Sequence, residues 1–347
     1  MSRPVRDPDD ILIIRPSALG DVCRSVPVLV SLKRRYPSAN IDWLVQDAFA
    51  PAIQHHPDLR RAIPFPRTRM GRDLLRGKPG SLLSFIRALR KPRYGLVVDA
   101  QGLFRSGFFA FATGAPIRVG DRAARENGWI FATRSVRTDT RSHTVDRMLQ
   151  IAKAAGARPS ADLRLHTSPS QRGDAERLLT AALGRHARLP PIVLAPTSRW
   201  AAKRWPTERY LELARHLLAT TPHPIAVVGG PGERTQCASL LRLCKAEPRA
   251  ADLVGKTDVG SLLAIIERAR LVVANDSAAL HMAVGFDRPI VALFGPTDTG
   301  RVGPYGRTGD VIQHPDPDRT DHKRDAGAIT MRQISVREVI DACRRRL

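Results

Sequence analysis

Four cysteines in 347 residues, Cys23, Cys237, Cys244 and Cys343, leave little for covalent or metal-held architecture. They show no C-x-x-C spacing and no nearby histidine partners, so neither a zinc site nor a disulfide framework is expected, and reduced thiols fit the cytoplasm. Long apolar runs are missing too. None approaches the roughly 18 residues that span a bilayer. Met1 to Asp10 is polar and proline-bearing, without the apolar core of a secretory signal, so the chain is expected to stay in the cytoplasm. Aromatic residues make up 5% of the sequence. Phe65, Phe85, Tyr94 and Phe104, beside the main basic stretch, are too few for a base-stacking platform, and no helix-turn-helix, zinc-finger or RNA-binding signature occurs. A specific nucleic-acid partner is therefore not expected. Acidic residues are in short supply as well, 33 against 56 Lys and Arg, for a net charge of +23. An arginine-preferring composition accounts for part of this excess. The remainder predicts an anionic partner: nucleic acid, an acidic membrane surface or a phosphorylated substrate.

What is present is a long alternation of strand and helix signals. With 43% apolar residues the chain can bury real cores, and its length suggests two domains. In the first half, Ile11 to Arg15, Ile41 to Val45, Ala62 to Phe65, Gly95 to Val98 and Ile117 to Gly120 read as strands. Val22, Val26, Leu29, Val30 and Leu32 lie on one side of a helical pattern, and Ser81 to Arg90 and Val145 to Ala155 also read as helices. Arg67 to Pro79 reads as a basic, glycine-containing loop. The pattern loosens from Gly156 to Leu189, with a helix near Ala175 to Leu183. It restarts with strands at Ile192 to Ala195, Ile225 to Val228, Leu253-Val254, Leu271 to Ala274, Ile290 to Phe294 and near Val311-Ile312. Helices are predicted over Thr207 to Ala219, Glu233 to Lys245, Gly260 to Arg268, Ala278 to Val284 and Val336 to Arg346. Such alternation in both halves argues for α/β architecture with two open parallel sheets. The expected division is 1–170, 171–335 and a closing helix in 336–347 that could pack back on the first domain.

Polar residues collect where strands end. Pro16-Ser17-Ala18-Leu19-Gly20-Asp21 follows the first strand, Asp99-Ala100-Gln101-Gly102 another, and Asn275-Asp276-Ser277 and Gly295-Pro296-Thr297 two more. In open parallel sheets these edges face the crevice where ligands bind. Asp21 fits either a helix cap or a carboxylate placed as a general base. Asp276 fits a cap or a ligand contact, and an uncapped amide row at the following helix would be a phosphate site. No G-x-G-x-x-G follows the first strand, and Gly229-Gly230-Pro231-Gly232 has a proline inside it, which argues against a nicotinamide oxidoreductase.

Several strings together resemble the glycosyltransferase family of the lipopolysaccharide heptosyltransferases, family 9, and within it the heptosyltransferase I branch. They are ILIIRPSALGDVCRSVPVL, the VDAQGL of Val98 to Leu103, KRWP at Lys203 to Pro206, VVGGPGE at Val227 to Glu233, and NDSAALHMAVGFDRPIVALFGPTDTG. The resemblance implies two Rossmann-like domains facing a central cleft, the GT-B arrangement, with the acceptor on the first domain and the nucleotide sugar on the second. It implies inverting, metal-independent transfer of a heptose from an ADP-sugar to a phosphorylated Kdo-lipid A-type acceptor. No cofactor is implied beyond the ADP-sugar co-substrate.

The same resemblance assigns residues. Asp21 matches the family's catalytic aspartate and Lys203 its lysine for the leaving diphosphate. Donor-binding positions are Thr197, Ser198, Glu233, Lys256, Thr257, Asp276, Ser277, Ala278, Ala279 and His281. Glu233 would hold the ribose, Lys256-Thr257 the adenine edge and Asp276 the heptose hydroxyls. Acceptor-side positions are Ser17, Arg67, Arg69, Arg72, Gln101, Gly102, Arg125, His143 and Arg147. The basic stretches of the first half, from Arg60 to Arg93 and from Arg118 to Arg147, would grip an anionic lipid-linked saccharide. They would also attach the protein peripherally to the inner leaflet of the cytoplasmic membrane. Two departures stand out. Ala278 replaces a glycine usual in the family, and Arg15 replaces a common lysine without loss of charge. Two other readings stay open: a family transferase with another sugar or acceptor, and a non-catalytic module that binds anionic surfaces.

Overall fold

The computed structural model describes residues 7–315 and 328–347, so most of the polar stretch His314 to Asp325 and the first six residues lie outside the described residues. The chain divides into two compact units, Met1–His166 and Thr167–Leu347. The division falls slightly before the expected one because the helix Pro169–Leu183, capped by Ser168 with Gln171 bonding back, packs on the helix Val259–Arg268 of the second unit.

The first unit is built on six strands: β1 (Asp10–Ile14), β2 (Asn40–Gln46), β3 (Arg61–Phe65), β4 (Leu96–Asp99), β5 (Ile117–Asp121) and β6 (Arg134–Val136). They form one parallel sheet in the order β3-β2-β1-β4-β5-β6. Every residue of Ile11 to Ile14 is fully buried, as a central strand covered on both faces requires. Leu12 and Ile14 enter a core with Met70, Leu89 and Phe109, contributed by the helices Arg67–Leu75, Gly80–Arg90 and Phe104–Ala112. Ile11 and Ile13, one residue out of phase, point to the opposite face. The helices Val26–Arg35 and Thr144–Ala154 pack against each other in the same unit.

The second unit repeats the plan with β7 (Ile192–Ala195), β8 (Ile225–Val227), β9 (Ala250–Asp252), β10 (Leu271–Asn275), β11 (Ile290–Phe294) and β12 (Val311–Gln313). Its sheet is also parallel, in the order β12-β11-β10-β7-β8-β9. Numbered from its own first strand, this is the order 3-2-1-4-5-6 of the first sheet. The closing helix, Val336–Arg344, buries Val339, Ala342 and Cys343 in this unit's core beside Tyr210 and Leu213. Its apolar face is thus used within the second unit.

Several expectations are corrected. Arg67 to Leu75 is a helix rather than a loop. The pattern after the first strand is two helices, Leu19–Arg24 and Val26–Arg35, broken at Ser25 because Pro27 cannot donate a backbone bond. The segment following Gly230 begins as a tight 3-10 turn, Pro231–Cys237, before the helix Ala238–Ala246. The short strand read at Leu253-Val254 lies instead at Ala250–Asp252.

Candidate active site

A sheet ordered 3-2-1-4-5-6 has its crevice where the chain switches direction, at the carboxyl ends of its first and fourth strands. In the first unit these are β1 and β4. Arg15 leaves β1 buried, with its backbone amide bonded to Leu44 O at 3.1 Å and its guanidinium donating to Ala100 O just past β4. The loop closes across the same gap by a 3.1 Å bond from the Ser17 amide to Gln101 Oε1. Asp21 stands in the first turn of the helix Leu19–Arg24, where its Oδ2 accepts the Ala18 amide at 3.4 Å.

Two arginines hold the Asp21 carboxylate. Arg24, one turn on, reaches Oδ1 at 2.5 Å, and Arg15 reaches Oδ2 at 3.3 Å. Burial works against the charge, but Arg15 and then Arg24 outweigh it and bring the carboxyl down to about 2. Asp21 is therefore ionised throughout the physiological range, and 27% of its side chain remains open to an incoming hydroxyl. Asp99, at the end of β4, behaves oppositely. Burial pushes it up to about 6 despite bonds from the Gly102 and Gln101 amides and the Ser106 hydroxyl. Its role is to fold the loop after β4. Gly102 there has φ of +73°, and a Cβ would come within 2.5 Å of Ala124 Cβ.

The other acceptor-side positions divide in two. Arg67, Arg69 and Arg72 lie on one helix, and with Arg125 all four are exposed and face solvent. His143 and Arg147 are built into the first unit. His143 caps the helix Thr144–Ala154, its Nδ1 accepting the Val145 amide at 3.1 Å. Arg147 donates to Thr138 Oγ1 at 3.0 Å and to Asp121 at 2.9 Å. Arg147 thus has an internal partner at the end of β5.

In the second unit the crevice lies past β7 and β10. Asn275 ties the two together: its Nδ2 donates to Pro196 O at 2.7 Å, while its Oδ1 accepts the Tyr210 hydroxyl at 3.1 Å and the Trp205 amide at 3.3 Å. Next along the chain, Asp276 meets Lys203 Nζ at 2.5 Å, both side chains being mostly buried. Asp276 therefore does not cap the following helix. That helix, Ala278–Gly285, starts at Ser277 without any side-chain cap, so its first amides keep their hydrogen-bonding capacity. Ser277 Oγ there, and Thr297 Oγ1 past the end of β11, are buried with no hydrogen-bond partner among the described residues. Unsatisfied donors at a helix start form a place for a phosphate. His281 lies farther along this helix, buried.

Glu233 folds back onto its own turn, where Oε2 accepts the Gly230 amide at 2.7 Å and the Thr197 hydroxyl at 2.6 Å. A Cβ on Gly229 would stand 2.9 Å from Thr197 Oγ1, so the glycine makes room for this approach. The Ser198 amide bonds to Gln236 Oε1 at 3.3 Å, and Ser198 O accepts Arg204 Nε at 2.7 Å. Lys256 lies against Asp252 at 3.3 Å, half exposed, with Thr257 beside it. Within the second unit the structure joins Lys203 to Asp276, and Thr197 to Glu233, while Lys256 stands apart with its own acid. The grip of Arg24 on Asp21 was missed from sequence, although its i to i+3 spacing was a usable signal. Asn275 and Gln236 gave no such signal, because their partners are distant in sequence.

Among the described residues no three His, Cys, Asp or Glu side chains converge as a metal site requires, and no helix is long and apolar enough to cross a membrane. All four cysteines are free thiols. Burial pushes Cys23, Cys244 and Cys343 up to about 12 and Cys237 to about 11, so none is a ready nucleophile.

Known proteins share this plan. The profile of glycosyltransferase family 9 (heptosyltransferase) matches residues 82–326. Lipopolysaccharide heptosyltransferase 1 of Pseudomonas aeruginosa is 30% identical over 303 residues, covering 86% of this chain and 82% of that protein. Lipopolysaccharide heptosyltransferase 2 of Salmonella typhimurium is 28% identical over 314 residues, 87% of each chain. Among solved structures, the E. coli ADP-heptose lipopolysaccharide heptosyltransferase II superposes with a TM-score of 0.80 at 23% identity, covering 97% of this chain and 98% of that one. The E. coli heptosyltransferase WaaC with ADP-2-deoxy-2-fluoro heptose gives a TM-score of 0.76 at 23% identity, covering 97% of this chain and all of the other. The fold is thus that of the GT-B glycosyltransferases, and type 1 and type 2 relatives match about equally well. With a profile match over most of its length and a relative at 30% identity, the chain is a glycosyltransferase and belongs to glycosyltransferase family 9, the heptosyltransferases.

Proposed function

We propose that the protein transfers a heptose from ADP-heptose to the sugar of an anionic, lipid-linked acceptor of the Kdo-lipid A type, in lipopolysaccharide core synthesis, with inversion and without a metal. The observation that carries this reading is Asp21: an ionised, partly open carboxylate at the crevice of the first sheet, in a chain whose second crevice offers Lys203 and an uncapped helix start. An acceptor hydroxyl oxygen attacks the anomeric carbon, the bond from that carbon to the β-phosphate oxygen breaks, and Asp21 takes the hydroxyl proton. ADP leaves with its added negative charge, which Lys203, the Ser277 to Ala279 amides and the spare hydroxyls of Ser277 and Thr297 stabilise. Asp276 orients the sugar, and Glu233 with Thr197 positions the ribose. The protein would work at the inner membrane face, where such an acceptor resides. Relatives of this family solved with ADP and with a fluorinated ADP-heptose support the choice of donor.

The direct experiment incubates the protein with ADP-heptose and a Kdo-lipid A acceptor in detergent, with EDTA present, and follows product by mass spectrometry and ADP release. One ADP per heptosylated acceptor is expected; GDP-heptose and NAD serve as controls. No transfer from ADP-heptose, or transfer abolished by EDTA, would overturn the reading.

Two smaller predictions follow from the geometry. Glu233→Gln keeps the size but weakens the acceptor for Thr197 and the Gly230 amide, so ADP affinity by calorimetry should fall about tenfold, a loss of about 1.4 kcal/mol. Arg24→Gln removes one of the two cations beside Asp21. In the parent, ionised Asp21 persists until the pH falls through about 2, so an acid limb of kcat from this group lies there. In Arg24→Gln the carboxyl rises, because burial is then opposed by Arg15 and the Ala18 amide without the second guanidinium. The acid limb should move upward by the same amount in a pH–rate series; an unmoved limb would show that Arg24 does not set the charge of Asp21.

A further inference from the structure

One side chain of the second unit reaches three of the segments that carry groups proposed to hold the donor. Asn275 ends β10, fully buried after the apolar run Leu271 to Ala274, with its backbone still in the ladder opposite Leu293. A buried carboxamide destabilises the fold unless its donor and its acceptor are both satisfied. Both are, and two of the three partners stand beside proposed donor contacts. Nδ2 donates to Pro196 O at 2.7 Å, which fixes the exit of β7 immediately before Thr197 and Ser198. Oδ1 accepts the Trp205 amide at 3.3 Å, two residues past Lys203. Asp276 follows Asn275 directly in the chain. The remaining partner, the Tyr210 hydroxyl at 3.1 Å, comes from the helix Thr207–Thr220 and is assigned no part in the site.

Lys203 itself closes a single 3-10 turn, Ala201–Lys203, and a turn of that length holds no position without help from its surroundings. Trp205 supplies that help. Its ring is buried and its indole nitrogen donates to Ile334 O at 2.9 Å, while its amide is taken by Asn275. Lys203 Nζ in turn meets Asp276 at 2.5 Å. We propose that Asn275 is a positioning residue of the transferase: through the Trp205 amide and its own backbone it sets Lys203 and Asp276 against each other, and through Pro196 it holds Thr197, with the Glu233 that Thr197 bonds, in the same frame. This deepens the proposed function and rests on it, because the groups positioned are those read there as holding the diphosphate, the sugar and the ribose. The residue type fits the task. Asparagine donates and accepts from one planar group, whereas aspartate would lose the bond to Pro196 O and leucine all three.

The test is a double-mutant cycle on the full chain: the parent, Asn275→Ala, Lys203→Ala and the two combined, each measured for turnover at saturating ADP-heptose and for ADP affinity by calorimetry. Asn275→Ala should lower turnover about thirtyfold in the parent background, within the roughly hundredfold that displacing a group by about 1 Å can cost. In the Lys203→Ala background it should lower turnover by about threefold at most, since the group it positions is gone. ADP affinity should fall about tenfold in the first background and about threefold or less in the second, the remainder being the share carried through Thr197. Tyr210→Phe removes the third bond and leaves both tethers, so it should lower the melting temperature while turnover stays within about twofold of the parent. A residue that served stability alone would cost the same factor in both backgrounds. Should the alanine variant not fold, Asn275→Ser, whose hydroxyl still pairs with one partner, repeats the cycle at smaller amplitude. Equal losses in the two backgrounds, a folded Asn275→Ala that turns over like the parent, or a loss in Tyr210→Phe as large as in Asn275→Ala overturns the proposal. If the parent transfers no heptose, the proposed reaction fails, and the ADP-affinity cycle still decides whether Asn275 acts through Lys203.

Discussion

Asp21→Asn is expected to lower turnover by about a hundredfold or more while ADP affinity stays within about twofold. The substitution preserves shape and removes the charge, so it separates the base from its scaffold. Asparagine can still accept from the Ala18 amide through its carbonyl, but its amide nitrogen cannot accept the proton of an attacking hydroxyl. The arginines that hold the carboxylate remain in place, with their charges now uncompensated by Asp21. Some loss of stability in the first unit is expected for that reason. Rapid-quench measurement of transfer, with ADP calorimetry beside it, gives the answer: turnover near that of the parent would remove Asp21 from the chemistry. A carboxyl near 2 is a weak base toward a resting hydroxyl. It becomes effective once bond formation to the anomeric carbon has made that hydroxyl acidic, and it has the advantage of never being protonated beforehand.

The second large effect is expected at Lys203. Lys203→Ala should weaken ADP binding by about tenfold and turnover by about a hundredfold to a thousandfold, because charge on the departing diphosphate grows in the transition state and a fixed cation counts for more there than in the ground state. The structure adds a second consequence. Lys203 is the partner of Asp276 at 2.5 Å, so its removal leaves a mostly buried carboxylate beside the place proposed for an anionic ligand. That carboxylate would repel the phosphates. Asp276→Asn introduced together with Lys203→Ala should therefore recover part of the ADP affinity, though not the turnover. ADP bound by Lys203→Ala as tightly as by the parent would exclude the lysine from the nucleotide site.

Much of the fold was legible because parallel strands buried on both faces are written as unbroken apolar runs, as in Ile11 to Ile14 and Leu271 to Ala274, with polar residues marking where each run stops. The helix Arg67–Leu75 was not legible. It buries a single apolar residue, Met70, so it shows no periodic stripe, and Gly71 in its middle reads as a breaker. The strand Ala250–Asp252 was misplaced by a few residues because it is short and ends in an aspartate, while the more apolar Leu253-Val254 follows it. The closing helix was legible as amphipathic, but an amphipathic pattern does not say which sheet it covers. At the site, strand-end positions of Asp21, Asp99, Asn275 and Asp276 could be read from sequence. Their pairing could not, since Lys203 and Asp276 are far apart in the chain, and the reach of Arg15 to Ala100 depends on two strands that only the fold makes neighbours.

The allocation of that last helix also affects how the protein is made. The first unit has all its strands in hand by His166, so it can mature on the ribosome while synthesis continues. The second cannot complete its core until Val339 and Cys343 have emerged to join Tyr210 and Leu213. During that interval the half proposed to hold the nucleotide is the one with its core still incomplete.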